Sequence, residues 1–309
     1  MSKLSIIVPV YYNADTLQLL YNDMKQKILD TIGDYEIVFV DDGSGDASWE
    51  LMNHIRETDD RVVCVRLSKN YGEHAALLAG LSVCTGDCAV TKQADLQEDS
   101  ELILELFDRW KAGHKVVLAI RASRDEGVVK KFFANRYYDL VRKVVDSNMP
   151  KGGCDCYLVD RQVIELLKLM DEKNSSLTLQ VLWTGFRAEK VYFHRRDREI
   201  GESRWTLRKK LKLVIDSMIS FTSVPMKFMS VTGVVFFLLS IAGIISVIFE
   251  KVTRGTPLVG YASLMSVILL SSGLTLLMLG ILGEYIWRIL EESRERPPFI
   301  IDEVQRKKS

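Results

Sequence analysis

Short apolar runs recur through the first 120 residues, at 4–10, 36–40, 62–67, 88–91 and 115–120. Several are apolar at every position, not at alternate ones. A strand reads that way when it lies in a parallel sheet covered on both faces. Between these runs, around 16–32, 47–57, 74–83 and 100–112, apolar residues return at helical spacing. Such alternation predicts an α/β domain built on a parallel, doubly wound sheet. Ligands of such sheets bind at the carboxyl ends of the strands.

The pattern changes in the last third of the chain. Residues 228–249 and 255–283 are free of charge for 22 and 29 positions. A helix crosses a bilayer with about 20 apolar residues, so both segments qualify as spans. Before them, 205–221 reads as an amphipathic helix. Leu207, Leu211, Val214, Ile215, Met218 and Phe221 share one face, and Arg208, Lys209, Lys210 and Lys212 crowd another. That suits a helix lying on an anionic membrane surface. The expected organisation is an α/β domain at 1–206, a juxtamembrane helix at 207–226, a two-helix membrane domain at 227–288 and a tail at 289–309.

Charge sharpens this division. The chain has 41 basic and 41 acidic side chains, and a net charge of zero argues against a general nucleic-acid binder. The balance conceals a split: 1–194 carries −6 and 195–309 carries +6. Basic residues flank the spans, at 195–227 and again at Arg288, Arg294, Arg296, Arg306, Lys307 and Lys308. The positive-inside rule then places the α/β domain and both termini in the cytoplasm, as expected of a multi-pass protein of the inner (plasma) membrane. The five cysteines are odd in number and form no CxxC pair, so buried thiols are expected, not a disulfide framework or zinc site. The N-terminus runs straight into a strand, so no secretory leader is expected.

The candidate chemistry follows the strands. After the first come Pro9, Val10, Tyr11, Tyr12 and Asn13; after the second, Asp41-Asp42-Gly43-Ser44. After the third come Ser68-Lys69-Asn70-Tyr71-Gly72; after the fourth, Gln93-Ala94-Asp95-Leu96-Gln97; after the fifth, Arg121 and then Arg124. A carboxylate beside an amide oxygen suits a hard divalent cation such as Mg2+ or Mn2+. Arginines suit phosphate oxygens. Together these groups describe a nucleotide-diphosphate site with a metal bridge. Neither GxGxxG nor a P-loop is present. Asp-Asp-Gly-Ser is also a good turn sequence and Asp95-Leu-Gln97 a good helix cap, so position after successive strands is what gives them weight.

Ile7-Val-Pro-Val-Tyr-Tyr-Asn13, Val40-Asp-Asp-Gly-Ser44, the run from Leu67 to Gly80 and Ala94-Asp-Leu-Gln97 resemble family 2 glycosyltransferases of the GT-A (Rossmann-like) fold. The two spans, Gly283-Glu-Tyr-Ile-Trp-Arg288 and Arg296-Pro-Pro-Phe-Ile300 narrow the resemblance to polyprenyl-phosphate glycosyltransferases, such as bactoprenol glucosyltransferases and relatives of dolichol-phosphate mannose synthase. The resemblance implies inverting transfer of a sugar, glucose first, from a UDP-sugar to undecaprenyl or another polyprenyl phosphate. It implies that Pro9, Tyr11, Asn13, Asp41, Asp42, Lys69, Asn70, Gly72, Ala94 and Asp95 bind the nucleotide sugar. Asp95 and Gln97 match metal-associated positions, and Arg121 an arginine near the phosphates. Asp155 matches an acidic position of the catalytic region. Arg198, Ser203 and Arg204 fall in an Arg-x-x-Gly-x-Ser element before the membrane and are expected to meet the lipid phosphate.

Two departures stand out. The family commonly has Asp-x-Asp where this chain has Gln93-Ala-Asp95, and Cys156 and Tyr157 replace an aromatic and an arginine. The acceptor is already an anion, so catalysis should rest on positioning and on stabilising the departing diphosphate. A processive polysaccharide synthase would need a Gln-x-x-Arg-Trp element, and Gly201 stands where its Gln would be. A membrane-tethered nucleotide-sugar sensor without turnover is the non-enzymatic alternative. A homo-oligomer is expected from the small membrane footprint, with Phe299-Ile-Ile301 a segment that would pair with a neighbouring subunit's sheet edge.

Overall fold

Seven consecutive buried residues form β1 (Leu4–Val10), and seven more form β2 (Tyr35–Asp41). With β3 (Val62–Leu67) and β4 (Cys88–Thr91) they make a parallel core in the order β4-β1-β2-β3. These are the first four strands that the apolar runs predict. The computed structural model from which they are taken describes residues 2–122, 154, 156–170, 176–194, 224–254 and 260–306.

The helices cover the sheet with the faces their periodicity marks. Helix α1 (Ala14–Met24) buries Thr16, Leu17, Leu20, Tyr21 and Met24, and continues through a π-helical turn at Lys25–Leu29. Helix α2 (Ser48–Thr58) buries Trp49, Met52 and Ile55. Helix α3 (Glu73–Val83) buries every residue from Ala76 to Leu81, and α4 (Leu102–Lys111) buries Leu102, Ile103, Leu106 and Phe107. In α1, α2 and α4 the buried residues recur at helical spacing, so these helices dock by one apolar face, whereas α3 is buried on all sides through its middle.

The complete sheet is mixed, which corrects the all-parallel expectation. With β5 (Val116–Arg121), β6 (Cys156–Asp160), β7 (Ala188–Phe193) and β8 (Ile301–Gln305) it has eight strands, in the order β7-β5-β6-β4-β1-β2-β3-β8. Strand β6 inserts antiparallel between β4 and β5, and β7 adds parallel to β5. The apolar run of β6 was not separable by pattern from other buried segments. Because β6 opposes both neighbours, β4 and β5 still point the same way. Their carboxyl ends share one edge with those of β1, β2 and β3.

Two further helices, α5 (Arg161–Lys168) and α6 (Leu177–Trp183), precede β7. The last strand, β8 (Ile301–Gln305), pairs antiparallel with β3 of its own chain. The backbone N–H of Ser68 donates to the carbonyl of Ile300 at 3.0 Å. The otherwise open β3 edge is thereby covered.

The chain divides into two compact units, Met1–Ser217 with Pro297–Ser309, and Met218–Arg296. The second contains α7 (Val224–Arg254) and α8 (Tyr261–Ser293), of 31 and 33 residues. At 1.5 Å per residue each exceeds the roughly 30 Å of a hydrocarbon layer. Both are apolar enough to cross a membrane, and Phe237, Leu238, Leu276 and Leu277 are exposed on them. The amphipathic stretch at 205–221 lies outside the described residues.

Candidate functional site

The site is built where β1, β2, β3 and β4 end. At the end of β1 the backbone turns sharply, and Tyr12 takes a left-handed conformation (φ 55°). Non-glycine residues adopt that region rarely and at a cost, so surrounding bonds must hold it. They do: Tyr12 N–H donates to Ser44 Oγ at 3.0 Å, Asn13 N–H to Ser48 Oγ at 3.1 Å, and Tyr11 N–H to Asn13 Oδ1 at 3.0 Å. The Tyr11 and Tyr12 rings meet edge to face at 4.8 Å.

Asp41 and Asp42 end β2 and are both buried. Asp41 accepts from Ser44 N–H at 2.9 Å and lies 3.6 Å from the Arg66 guanidinium. Burial raises its carboxyl above the ordinary range, against the pull of Ser44 and Arg66. Asp42 reaches to the loop after β3, where its two oxygens accept from Tyr71 N–H at 2.7 Å and Gly72 N–H at 2.9 Å. Burial pushes its carboxyl up to about 6, with those two N–H groups opposing and Asp41 and Glu73 adding to the rise. The loop closes tightly on Gly43. A Cβ there would stand 2.7 Å from Asn70 N, and the backbone has φ +70°. Gly72, at φ +97°, turns the loop into α3. Lys69 and Asn70 are exposed beside this clamp, with the Lys69 ammonium 5.0 Å from the Tyr71 ring centre.

The loop after β4 carries Asp95 and Gln97, the positions expected from the sequence to meet a metal. Lys92 is buried at its base, with its ammonium donating to the Glu98 carbonyl, so the loop is closed from beneath. Asp95 accepts from Gln97 N–H at 3.2 Å across Leu96, which is left-handed (φ 59°). Ala94 is buried, and Asp95 and Gln97 are half-buried. Gln93 turns aside to donate to Glu73 at 2.6 Å. Among the described residues no group of three or more His, Cys, Asp and Glu side chains is gathered around a point. One carboxylate with a neighbouring amide oxygen nevertheless fits a hard cation in kind, since Mg2+ commonly takes one or two carboxylates and completes its shell with substrate phosphates and water.

The structure therefore gathers Asp41, Asp42, Lys69, Asn70 and Gly72 at one clamp, with Tyr11 and Asn13 on its near side. Pro9 sits in β1 opposite Val40, and Arg121 ends β5 on the same sheet edge. Asp155, Arg198, Ser203 and Arg204 lie outside the described residues. The motifs did not disclose Glu73, the buried Lys92, His74 or the buried Tyr157 hydroxyl. Both ring nitrogens of His74 are buried without a hydrogen bond, and burial lowers its pKa, so the ring is neutral. All five cysteines are buried and free, as expected.

A mixed α/β sheet with an acidic pair at the strand ends is the architecture of a GT-A glycosyltransferase, and two helices long and apolar enough to cross a membrane follow it. Residues 5–167 match glycosyl transferase family 2, and 224–289 match the GtrB C-terminal hairpin. The chain belongs to glycosyltransferase family 2. It is 36% identical to the uncharacterized glycosyltransferase YkcC of Bacillus subtilis (strain 168), over 96% of this chain and 92% of that one. It is 32% identical to the prophage bactoprenol glucosyl transferase homolog of Escherichia coli (strain K12), over 98% of this chain and 100% of that one. The fold is shared with glucosyl-3-phosphoglycerate synthase from Mycobacterium tuberculosis, solved with Mn2+ and UDP-glucose (TM-score 0.51, 15% identity, 72% of this chain and 79% of that one).

Proposed function

We propose that this glycosyltransferase moves a glucosyl group from UDP-glucose to undecaprenyl phosphate, or another polyprenyl phosphate, at the cytoplasmic face of the plasma membrane. The observation that carries the reading is the Asp42 clamp on the 71–72 loop, set among the strand ends where a nucleotide binds. The full-length likeness to bactoprenol glucosyl transferases supports the acceptor, and the apolar hairpin supports its presentation from a membrane. The chain leaves its first unit before the hairpin and rejoins it afterwards. That favours an even number of crossings, with the domain and tail on one side.

Asp41 and Asp42 hold the nucleoside by accepting hydrogen bonds, and Arg121 offsets phosphate charge. Asp95 and Gln97 would hold a divalent cation, which supplies charge neutralisation to the diphosphate. A lipid phosphate oxygen attacks the anomeric carbon from the face opposite the leaving group. The bond from that carbon to the β-phosphate oxygen breaks, and its electron pair leaves with UDP. The configuration inverts. No base is required, because the nucleophile carries no proton to remove. Asp155 would orient the sugar, and Arg198, Ser203 and Arg204 the lipid phosphate.

The test is a transfer assay in membranes containing the full-length chain, with labelled UDP-glucose, UDP-N-acetylglucosamine and GDP-mannose in parallel. Label from UDP-glucose should enter the organic phase only when undecaprenyl phosphate is added. Incorporation from another donor alone would overturn the sugar, and incorporation from none would overturn the reaction.

A further inference from the structure

Gln93 stands where the family commonly has the first acid of Asp-x-Asp, yet its side chain is firmly held. Its amide nitrogen donates to the Glu73 carboxylate at 2.6 Å. A carboxylate only accepts, so the NH2 end of the amide must be the end that faces Glu73. The amide oxygen is then the end of the side chain that Glu73 does not take. A short bond to an ionised partner is among the stronger hydrogen bonds, and it fixes this orientation against a flip.

Glu73 is itself placed by the nucleotide clamp. It opens α3 directly after Gly72, whose N–H is held by Asp42. A carboxylate in the first turn also sits favourably at the positive end of the helix. The clamp loop and the loop after β4 are thus joined by one side-chain bond.

We infer that Glu73 is a positioning residue of the donor site: it holds Gln93 so that an amide oxygen, not an NH2, is offered beside Asp95, and its charge makes an acid unsuitable at position 93. The inference rests on the nucleotide-sugar reading given above. It has a counterintuitive consequence. Gln93→Asp, which restores the common family residue, removes the bond and sets two carboxylates against each other. It should therefore impair the site. The double variant Glu73→Gln, Gln93→Asp sets an amide opposite a carboxylate again, with the polarity of the pair reversed, and should recover function.

The experiment measures Mn2+ binding by electron paramagnetic resonance on the purified full-length protein with UDP present, alongside thermal unfolding. Gln93→Asp should weaken Mn2+ binding about tenfold, the scale of one lost charged hydrogen bond. Glu73→Gln, a neutral isostere that serves if Gln93→Asp does not fold, should weaken it about threefold on the same scale. The double variant should return to within about twofold of the starting protein, since coupled partners are non-additive. Gln93→Asp binding as tightly as the unsubstituted chain would overturn the inference. So would single variants that lower the unfolding temperature alone and leave Mn2+ binding unchanged. If the unsubstituted chain binds no Mn2+ with UDP, the nucleotide-sugar reading falls and this inference with it.

Discussion

Asp42 reaches from the end of β2 to take the N–H of Gly72 at 2.9 Å, with its other oxygen on Tyr71 N–H at 2.7 Å. A side chain that sits inside the sheet edge thus fixes a loop almost thirty positions later in the chain. The bonds hold the loop, but burial still raises the carboxyl to about 6. The group that holds this loop is therefore kept partly against its own ionisation.

The sign of the resulting pH dependence is fixed. A carboxyl whose folded pKa exceeds its ordinary value of 3.8 binds its proton more tightly when folded. Its contribution to stability is full below the ordinary value and is lost as pH rises through about 6. The loss is worth roughly 3 kcal/mol at most, at 1.36 kcal/mol per pH unit between the two values. Asp42→Asn should flatten this component, seen as a smaller difference in unfolding temperature between pH 5 and pH 8. Nucleotide affinity should move oppositely. It needs the ionised acceptor, so UDP binding measured by calorimetry should weaken as pH falls below about 6.

Gly43→Ala tests the closeness of the clamp. The new Cβ would meet backbone at 2.7 Å, where no flexible side chain can yield, at a φ that disfavours alanine. A destabilisation of about 1–3 kcal/mol is expected, the range for a strained left-handed residue. The same shift should displace Lys69 and Asn70 and raise the KM for UDP-glucose more than it lowers kcat.

Removing residues 297–309 tests the last strand. It uncovers β3 and deprives Ser68 N–H of the Ile300 carbonyl at the root of the 69–72 loop. The truncated chain should unfold at a lower temperature and aggregate more readily, as open sheet edges do. Size-exclusion chromatography in detergent and a raised KM for the donor would register both effects.

Membrane topology is testable because the five native cysteines are buried. Gly260→Cys, between the two helices, should react with a membrane-impermeant maleimide added to intact cells. Glu303→Cys, on β8, should react only after the cells are opened. The reverse pattern would place the domain on the outer side.

Much of this architecture was readable because burial on both faces leaves a simple trace. The five apolar runs at 4–10, 36–40, 62–67, 88–91 and 115–120 correspond to β1–β5, with ends differing by at most a residue. β6, β7 and β8 were not legible. An antiparallel insertion between β4 and β5 depends on which edge is open, and Ile301–Gln305 mixes charge with two apolar residues. The strand-end motifs located Asp42 and Asp95 by position, since turn chemistry and ligand chemistry use the same residues there. Glu73 was hidden because its significance lies in a contact with Gln93 twenty positions away. Local spacing carries no such information.

The central claim is transfer to a lipid phosphate, and the product tests it most directly. Purified full-length protein, UDP-glucose, Mg2+ and undecaprenyl phosphate should give a lipid heavier by one hexosyl residue on mass spectrometry. Its anomeric coupling should be that of a β-glucosyl phosphate, and Asp95→Ala should give none while still unfolding cooperatively. A product of retained configuration, full activity in Asp95→Ala, or hydrolysis of UDP-glucose with no lipid product would contradict the account.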